Sequence, residues 1–245
     1  MIVPLPERFA EFRHVVVITG AGISAESGIP TFRGEGGLWR NYRAEDLATP
    51  SAFRKDSQLV WEWYEMRREI CWQAEPNAAH QTLVEMERYF SAKGSFLLVT
   101  QNVDGLHRRA GNENIVEIHG SIWRVRCTEC GRECERLHLD TVPPHCSCGG
   151  VERPAVLWFG ESYDGIVLET VRAALEKADV CLVIGSSGQV SLPVALAREA
   201  RRSGAMVVEV NLERSEFSDV ADFSFFDKAG SALPELWASW RKLIR

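Results

Sequence analysis

The sequence contains no apolar run long enough to span a membrane and no cluster of basic residues. Its 28 lysines and arginines are fewer than its 34 aspartates and glutamates, so the net charge is −6. Nucleic acids and anionic membranes bind to positive patches, and both are therefore disfavoured as partners. The opening residues, 1–7, lack the pattern of a secretory signal. We expect a cytoplasmic protein that binds neither a membrane nor a nucleic acid.

The chain also lacks internal repeats and low-complexity linkers. Its 245 residues, 45% of them apolar, can bury a full core in one large domain and leave room for a smaller one. The seven cysteines are odd in number and five of them crowd into residues 127–148, which does not fit a disulfide framework. This distribution indicates a metal site in a reducing compartment.

A strand followed by a glycine-rich turn is the feature around which the chain is arranged. Residues 15–19 are β-branched without interruption, which predicts a strand buried on both faces. Gly20, Gly22 and Ala25 then form a G-x-G-x-x-A turn. Gly20 allows the tight turn, Gly22 lets a pyrophosphate approach, and Ala25 lets a helix pack on the strand. The glycines alone also fit a tight turn that binds no ligand.

The second β-unit of a conventional dinucleotide fold is missing after this turn. Gly28-Ile29-Pro30 breaks the helix early, and no second strand precedes Trp39. The acidic residue that binds the ribose in such folds is missing as well. A glycine-rich loop, residues 31–37, is expected to cover the cofactor, which argues against hydride transfer. An NAD-dependent dehydrogenase and a non-enzymatic NAD-sensing or zinc-ribbon interaction protein stay open as alternatives.

Strand-like and helix-like segments alternate along the remaining chain. Helices are predicted over residues 57–72, 77–93, 192–202 and 233–244, and strands over 96–100, 115–118, 178–184 and 206–210. The alternation predicts an α/β fold with a doubly wound parallel sheet. Five strands end in polar or glycine-rich residues: Thr19-Gly20, Gln101-Asn102, His119, Gly185-Ser186-Ser187 and Asn211. Together these predict one extended nucleotide site along the carboxyl edge of the sheet.

Aromatic residues are concentrated in residues 39–72, which hold four of the eight tryptophans. Two interpretations are open. These side chains form a small helical core, or some of them line a groove for an extended apolar ligand.

Four cysteines have nearly the spacing of a zinc ribbon. Cys127-x-x-Cys130 precedes Cys146-x-Cys148 by fifteen residues, and each close pair can place two thiolates on one ion. The second pair departs from the usual C-x-x-C spacing. Other possible ligands nearby are Cys134, His138 and His145. Four cysteine ligands leave no open position, which indicates a structural zinc and not a catalytic one.

Several motifs in a fixed order make the chain resemble the sirtuins, NAD-dependent protein-lysine deacylases. They are GAGISAESGIPTFRG at 20–34, TQNVDGLH at 100–107, IHGS at 118–121, the four cysteines, PAVLWFGE at 154–161, GSS at 185–187 and VNLE at 210–213. The resemblance implies a Rossmann-type NAD-binding domain made of residues 1–38, 75–121 and 155–245. It also implies a small domain that combines a helical insert, residues 39–74, with a zinc-ribbon module, residues 122–154. NAD and the acylated lysine of a protein substrate would enter the cleft between the two domains.

The resemblance further implies the site residues. Those for NAD are Gly20, Ala21, Gly22, Glu26, Thr31, Phe32, Arg33, Trp39, Gln101, Asn102, Asp104, His119, Gly185, Ser186, Ser187, Asn211, Leu212, Glu213 and Ala229. His119 matches the catalytic base, which draws a proton from the ribose hydroxyls after the acyl oxygen has attacked the ribose carbon. The products would be nicotinamide, free lysine and 2′-O-acyl-ADP-ribose. A strand-end histidine bonded only to the backbone is the alternative for His119, and mono-ADP-ribosyl transfer is the alternative reaction.

One further match concerns the acyl group. Tyr64 and Arg67 resemble the Tyr-x-x-Arg pair of the sirtuin subclass that removes succinyl, malonyl and glutaryl groups, and Ala44 matches its small residue. Residues three apart share a helix face, and an arginine can grip a carboxylate bidentately. The alternative is a packed tyrosine and a surface arginine. The resemblance adds a set of substrate-binding residues: Val156, Trp158, Phe159, Gly160 and Glu161. It predicts a dual desuccinylase and deacetylase.

Overall fold

The computed structural model of the chain describes residues 5–31 and 44–244. In chain order the strands are β1 (His14–Thr19), β2 (Ser95–Thr100), β3 (Ile115–Glu117), β4 (Gly120–Cys127), β5 (Glu133–Glu135), β6 (Glu152–Val156), β7 (Val180–Ile184), β8 (Met206–Asn211) and β9 (Phe223–Phe226). The α-helices are α1 (Ala44–Leu47), α2 (Pro50–Lys55), α3 (Ser57–Gln73), α4 (Ala78–Ser91), α5 (Leu106–Ala110), α6 (Gly165–Leu175), α7 (Ser191–Arg202) and α8 (Ala229–Leu243). Two 3₁₀-helices cover Glu7–Ala10 and Ala21–Ser27.

Six strands form one sheet in the order β3-β2-β1-β7-β8-β9, and every neighbouring pair is parallel. The chain builds outward from β1, first to β2 and β3 and then to β7, β8 and β9 on the other side. The strand order thus reverses at β1. In open parallel sheets the ligand cleft lies at the carboxyl ends of the strands beside such a reversal. The α/β fold with a parallel sheet that the sequence predicts is confirmed.

Alternate residues of β1 pack into two separate cores. Val15 and Val17 belong to the core formed with α4 and α8, whereas Val16 and Ile18 belong to the core formed with α6 and α7. Since helices cover both faces, the strand has no solvent-facing side, as its unbroken apolar run predicts.

The small sheet has the antiparallel order β5-β4-β6 and packs against α3. Trp61, Trp63 and Tyr64 on α3 are buried in the core between them. These three aromatic side chains therefore form the predicted helical core, while Trp72 near the end of the helix is 49% exposed. The small sheet begins at residue 120 and ends at 156, slightly beyond the predicted ribbon limits.

Helix α8 begins at Ala229, four residues before its predicted start. Pro234 is its sixth residue and removes one backbone donor, yet the helix continues through it. Leu233, Leu236, Trp237 and Trp240 anchor the helix in the core, so packing outweighs the loss of one bond. None of the helices in the described ranges is long and apolar enough to cross a bilayer.

Candidate functional site

The strand ends predicted to form one site are joined by hydrogen bonds. Gln101, after β2, donates from Nε2 to Ser186 Oγ at 3.0 Å. Asn211, at the end of β8, donates from Nδ2 to the Ser186 carbonyl at 2.9 Å. The turn after β7 thus connects the ends of three strands in one polar row along the carboxyl edge.

The glycine turns after β1 and β7 lie in direct backbone contact. Gly22 N–H donates to the Gly185 carbonyl at 2.8 Å. A Cβ on Gly22 would lie 2.8 Å from Gly185 Cα, and one on Gly20 would lie 2.8 Å from the Gly185 oxygen. Gly185 itself has a φ of 61°. These glycines are therefore required by the contact between the turns, whether or not a phosphate approaches them.

The helix after the first turn is short, as predicted. It is a 3₁₀-helix that ends at Gly28, whose φ of 85° only glycine adopts without strain. Glu26, predicted to bind the cofactor, accepts a hydrogen bond from the Gly230 backbone N–H at 2.6 Å. This carboxylate therefore lies at the beginning of α8, beside Ala229.

His119 follows β3 and is held at both ring nitrogens. Nδ1 lies 3.0 Å from the Gln101 carbonyl, and Nε2 lies 3.0 Å from the Tyr163 hydroxyl. A carbonyl only accepts, so Nδ1 carries the proton and Nε2 is the unprotonated nitrogen, to which Tyr163 donates. Burial lowers the pKa of His119, and the bond to Gln101 opposes that shift. The ring is therefore a neutral base at pH 7. The sequence analysis missed Tyr163, which lies two residues after the PAVLWFGE motif.

Asp104 is buried beside the first turn. Its Oδ2 accepts from Ser24 Oγ at 2.8 Å and its Oδ1 from Leu106 N–H at 2.9 Å, and Asn102 donates from Nδ2 to Ser24 at 3.2 Å. Burial raises the pKa of Asp104, and these two hydrogen bonds to its carboxylate oppose the increase. Ser24 was not among the predicted site residues, although it lies within the first motif.

A series of buried polar side chains joins the ends of β1 and β2 beneath the polar row. Thr19 Oγ1 donates to Thr100 Oγ1 at 2.8 Å and lies 3.0 Å from His107 Nε2. The His107 ring packs on His80, with centroids 4.8 Å apart. Burial lowers the pKa of His80 to about 4 and lowers that of His107 well below its ordinary value. Both rings are therefore neutral and hold the ends of β1 and β2 without adding charge.

Tyr64 and Arg67 are both buried and share a face of α3. The Arg67 guanidinium carbon lies 5.3 Å from the Tyr64 ring centroid and 4.6 Å from that of Trp63. The Tyr64 hydroxyl accepts a hydrogen bond from Trp158 Nε1 at 2.9 Å. The surface location that was the alternative for Arg67 is therefore wrong.

The segment after β6 connects this pair to His119. Val156 pairs with Gly120, and Leu157 N–H donates to the His119 carbonyl at 2.9 Å. The chain then turns, with Gly160 at a φ of 87°. Phe159 is 49% exposed, and its N–H donates to the Ala48 carbonyl at 2.9 Å.

The remaining predicted site residues fall into three groups. Ser187, Leu212 and Glu213 are exposed at the carboxyl edge, and Leu212 is 63% accessible. Ala21 and Thr31 are partly buried, the latter at the end of the first described range. Phe32, Arg33 and Trp39 lie outside the described residues, as does the side chain of Ala44, which begins α1.

The four cysteines with ribbon spacing converge on one point. Their Sγ atoms all lie within 4.8 Å of one another, with Cys127 3.5 Å from Cys148 and Cys130 3.7 Å from Cys146. A tetrahedral zinc with bonds of about 2.3 Å holds its sulfur atoms about 3.8 Å apart. The cluster fits one structural zinc with all four positions taken by cysteine.

The other possible ligands lie outside this cluster. Cys134 pairs with Val125 in the small sheet, the His138 ring packs on Trp72, and His145 forms a bridge with Val151. The metal-binding group found in the described part of the chain contains none of the three.

Comparisons with known proteins agree with this geometry. The Sir2 family model matches residues 20–192. A protein of Leptospira interrogans named NAD-dependent protein deacylase is 51% identical over 230 residues, covering 92% of each chain. A protein of Canis lupus familiaris named NAD-dependent protein deacylase sirtuin-5, mitochondrial, is 41% identical and covers 94% of this chain, which in turn covers 83% of that protein.

Solved structures are similar as well. A Sir2 homologue in complex with NAD superposes with a TM-score of 0.90 at 42% identity, over 98% of this chain and 93% of that one. A Sir2 protein solved with a p53 peptide and NAD⁺ gives a TM-score of 0.82 at 28% identity, over 94% of each chain. The interlocked glycine turns, the histidine at the sheet edge and the four-cysteine cluster thus occur in a chain that belongs to the Sir2 family of NAD-dependent protein deacylases.

Proposed function

We propose that this sirtuin removes succinyl and malonyl groups, and also acetyl groups, from protein lysines. Its products are then nicotinamide, free lysine and 2′-O-acyl-ADP-ribose. The observation that carries the acyl preference is the buried pair of Tyr64 and Arg67. This proposal extends the resemblance to the succinyl-removing subclass, in which the same two residue types are three apart.

A carboxylate is the ligand that this pair is suited to bind. The Tyr64 hydroxyl accepts from Trp158, and among the described residues it donates to none. A buried donor that makes no hydrogen bond costs about 1–3 kcal/mol. The Arg67 guanidinium beside it adds a buried positive charge. A dicarboxylic acyl chain supplies both an acceptor for the hydroxyl and the opposite charge, whereas an acetyl group supplies neither.

His119 is proposed as the general base. NAD would supply a ribose carbon that bonds to the acyl oxygen while its bond to nicotinamide breaks. The residues of this chain would position the two substrates and take a proton from the ribose. His119 Nε2 accepts a proton from a ribose hydroxyl, and the Gln101 carbonyl stabilises the imidazolium through Nδ1–H. The polar row of Gln101, Ser186 and Asn211 is placed to bind the sugar and phosphate groups.

The zinc is proposed to act only on structure. Four thiolates leave no coordination position for a substrate or a water molecule. The ion would fix the loops that join β4, β5 and β6. A site of this kind requires reduced thiols, so we propose a cytoplasmic location for the protein.

The test is turnover of matched succinyl-, malonyl- and acetyl-lysine peptides with and without NAD, followed by mass spectrometry. We expect NAD-dependent loss of succinyl with formation of 2′-O-succinyl-ADP-ribose. Arg67→Met should lower desuccinylation at least tenfold more than deacetylation, because only the dicarboxylic chain uses the guanidinium. Arg54→Met, at an exposed arginine on α2, is the control. Equal loss of both activities in Arg67→Met, or acetyl removal alone in the native protein, would contradict the acyl preference.

A further inference from the structure

The Trp158 indole determines how the Tyr64 hydroxyl is oriented. An indole N–H can only donate, so the 2.9 Å contact makes the Tyr64 oxygen the acceptor. The phenolic proton must then point away from Trp158. We propose that Trp158 is a positioning residue for acyl selectivity, because it directs the Tyr64 proton toward the carboxylate of a dicarboxylic acyl chain. This inference rests on the proposed desuccinylase function.

The direction of the proton follows from the chemistry of a phenol. Conjugation keeps the O–H bond close to the ring plane, where it has two orientations. The Trp158 N–H approaches one side of the oxygen and makes that orientation repulsive. Tyr64 is fully buried, and none of the described residues accepts its proton. Trp158 therefore leaves one orientation available before the substrate enters, and the donor is preorganised.

The indole is itself fixed in place. The Arg153 guanidinium carbon lies 3.3 Å from the Trp158 ring centroid, and Arg153 Nη2 lies 3.0 Å from Glu161 Oε2. The same Glu161 oxygen accepts from the Trp158 backbone N–H at 2.8 Å. Phe53 packs on the indole, with ring centroids 5.3 Å apart. Both the backbone and the ring of Trp158 are thus held, so its N–H cannot turn away from Tyr64.

The position of Trp158 in the chain also relates the two ends of the acyl group. Leu157, its neighbour, bonds to the His119 carbonyl, while Trp158 bonds to the Tyr64 hydroxyl. One short segment therefore contacts both His119, the proposed base, and Tyr64, the proposed hydrogen-bond donor to the carboxylate. A change at Trp158 should weaken the binding of the acyl carboxylate through Tyr64. Turnover of an acetyl substrate should not show this effect, because an acetyl group has no carboxylate.

The experiment is a double-mutant cycle on the full-length protein with Trp158→Phe and Tyr64→Phe. The readout is the ratio of kcat/KM for a succinyl-lysine peptide to kcat/KM for the acetyl-lysine peptide of the same sequence. We expect Trp158→Phe to lower this ratio about five- to tenfold, mainly through KM for the succinyl peptide. In the Tyr64→Phe background the same substitution should change the ratio less than twofold, because the hydroxyl it acts on is gone.

A second variant controls for packing. Phenylalanine is smaller than tryptophan and leaves a cavity, whereas benzothienylalanine at position 158 replaces only the N–H by sulfur. This variant should lower the ratio as much as Trp158→Phe. An unchanged ratio in the benzothienylalanine protein would overturn the inference, as would an equal decrease in the Tyr64→Phe background.

The native protein and Arg67→Met complete the series. A decrease of the ratio in Arg67→Met without a decrease in the position 158 variants would leave the desuccinylase proposal standing and reject the role of Trp158. A native protein that does not remove succinyl would overturn both.

Discussion

The Tyr163 hydroxyl lies 3.0 Å from Nε2 of His119, the nitrogen that has no proton of its own. The same nitrogen is the one that the proposed reaction needs as a base. In the proposed reaction a ribose hydroxyl of NAD would take the position beside Nε2 that the Tyr163 hydroxyl occupies. On this proposal, binding of NAD replaces one hydrogen bond to Nε2 by another.

Tyr163→Phe removes this competition. A hydrogen bond contributes about 0.5–1.5 kcal/mol, so we expect kcat/KM for NAD to rise about two- to tenfold. The measurement is nicotinamide release with an acetyl-lysine peptide at varied NAD. Tyr89→Phe is the matched control, because the Tyr89 hydroxyl on α4 accepts from Lys93 and, among the described residues, from no other. A tenfold or larger fall in kcat would instead assign the Tyr163 hydroxyl to the proton transfer.

The pH dependence of the reaction should follow the buried state of His119. Burial lowers the pKa of His119 from its ordinary 6.5, against the opposing bond to Gln101. The base works when neutral, so activity is retained above the lowered pKa and lost as pH falls through it. We expect the acidic limb of kcat/KM to lie below pH 6.5. The contrary result is an acidic limb above pH 7 in the native protein that is absent from the residual activity of His119→Ala. It would show that the protein stabilises the charged form of His119.

Zinc removal should affect structure before it affects chemistry. Cys146→Ser replaces one of four converging thiolates, whereas Cys134→Ser changes a cysteine of the same module outside the cluster. We expect the native protein and Cys134→Ser to bind one zinc per chain, and Cys146→Ser to lose zinc together with thermal stability. Metal analysis and thermal unfolding monitored by circular dichroism measure both. Full zinc content in Cys146→Ser would mean that a residue other than Cys146 is the fourth zinc ligand.

Local patterns in the sequence were sufficient for the parallel sheet and the metal cluster. The β-branched run before Gly20 predicts a buried strand because β-branched side chains favour the extended backbone and the run is apolar on both faces. The spacing of Cys127, Cys130, Cys146 and Cys148 predicts convergence because a close pair of cysteines can reach one ion without distant contacts. Each of these features depends on neighbours in the chain.

Features that depend on distant contacts were missed or incomplete. The early start of α8 depends on packing against α4, which outweighs the tendency of Pro234 to interrupt a helix. The contact of Tyr163 with His119 joins residues 44 positions apart, and no local pattern indicates it. Glu26 lies in the cofactor motif, but its carboxylate bonds to Gly230, 204 residues away. Tertiary structure decides such contacts.

Gly22 separates a structural requirement from a ligand requirement. In the sequence it is assigned to the approach of a pyrophosphate, while in the structure a Cβ there would lie 2.8 Å from the Gly185 backbone. The atoms that a Cβ at Gly22 would meet belong to the backbone, which cannot shift without strain. Gly22→Ala should therefore destabilise the protein without NAD by roughly 1–3 kcal/mol. At this chain length, that lowers the melting temperature by roughly 5 °C.

Gly165→Ala is the matched control, because a Cβ at this first residue of α6 meets nothing within 4 Å. It should leave the melting temperature unchanged or slightly higher, since alanine favours a helix more than glycine does. Both variants are measured by thermal unfolding in the absence of NAD. If the glycine served only the ligand, Gly22→Ala would unfold at the native temperature and lose NAD affinity alone. A lower melting temperature without NAD would show that contact between the turns requires glycine at this position.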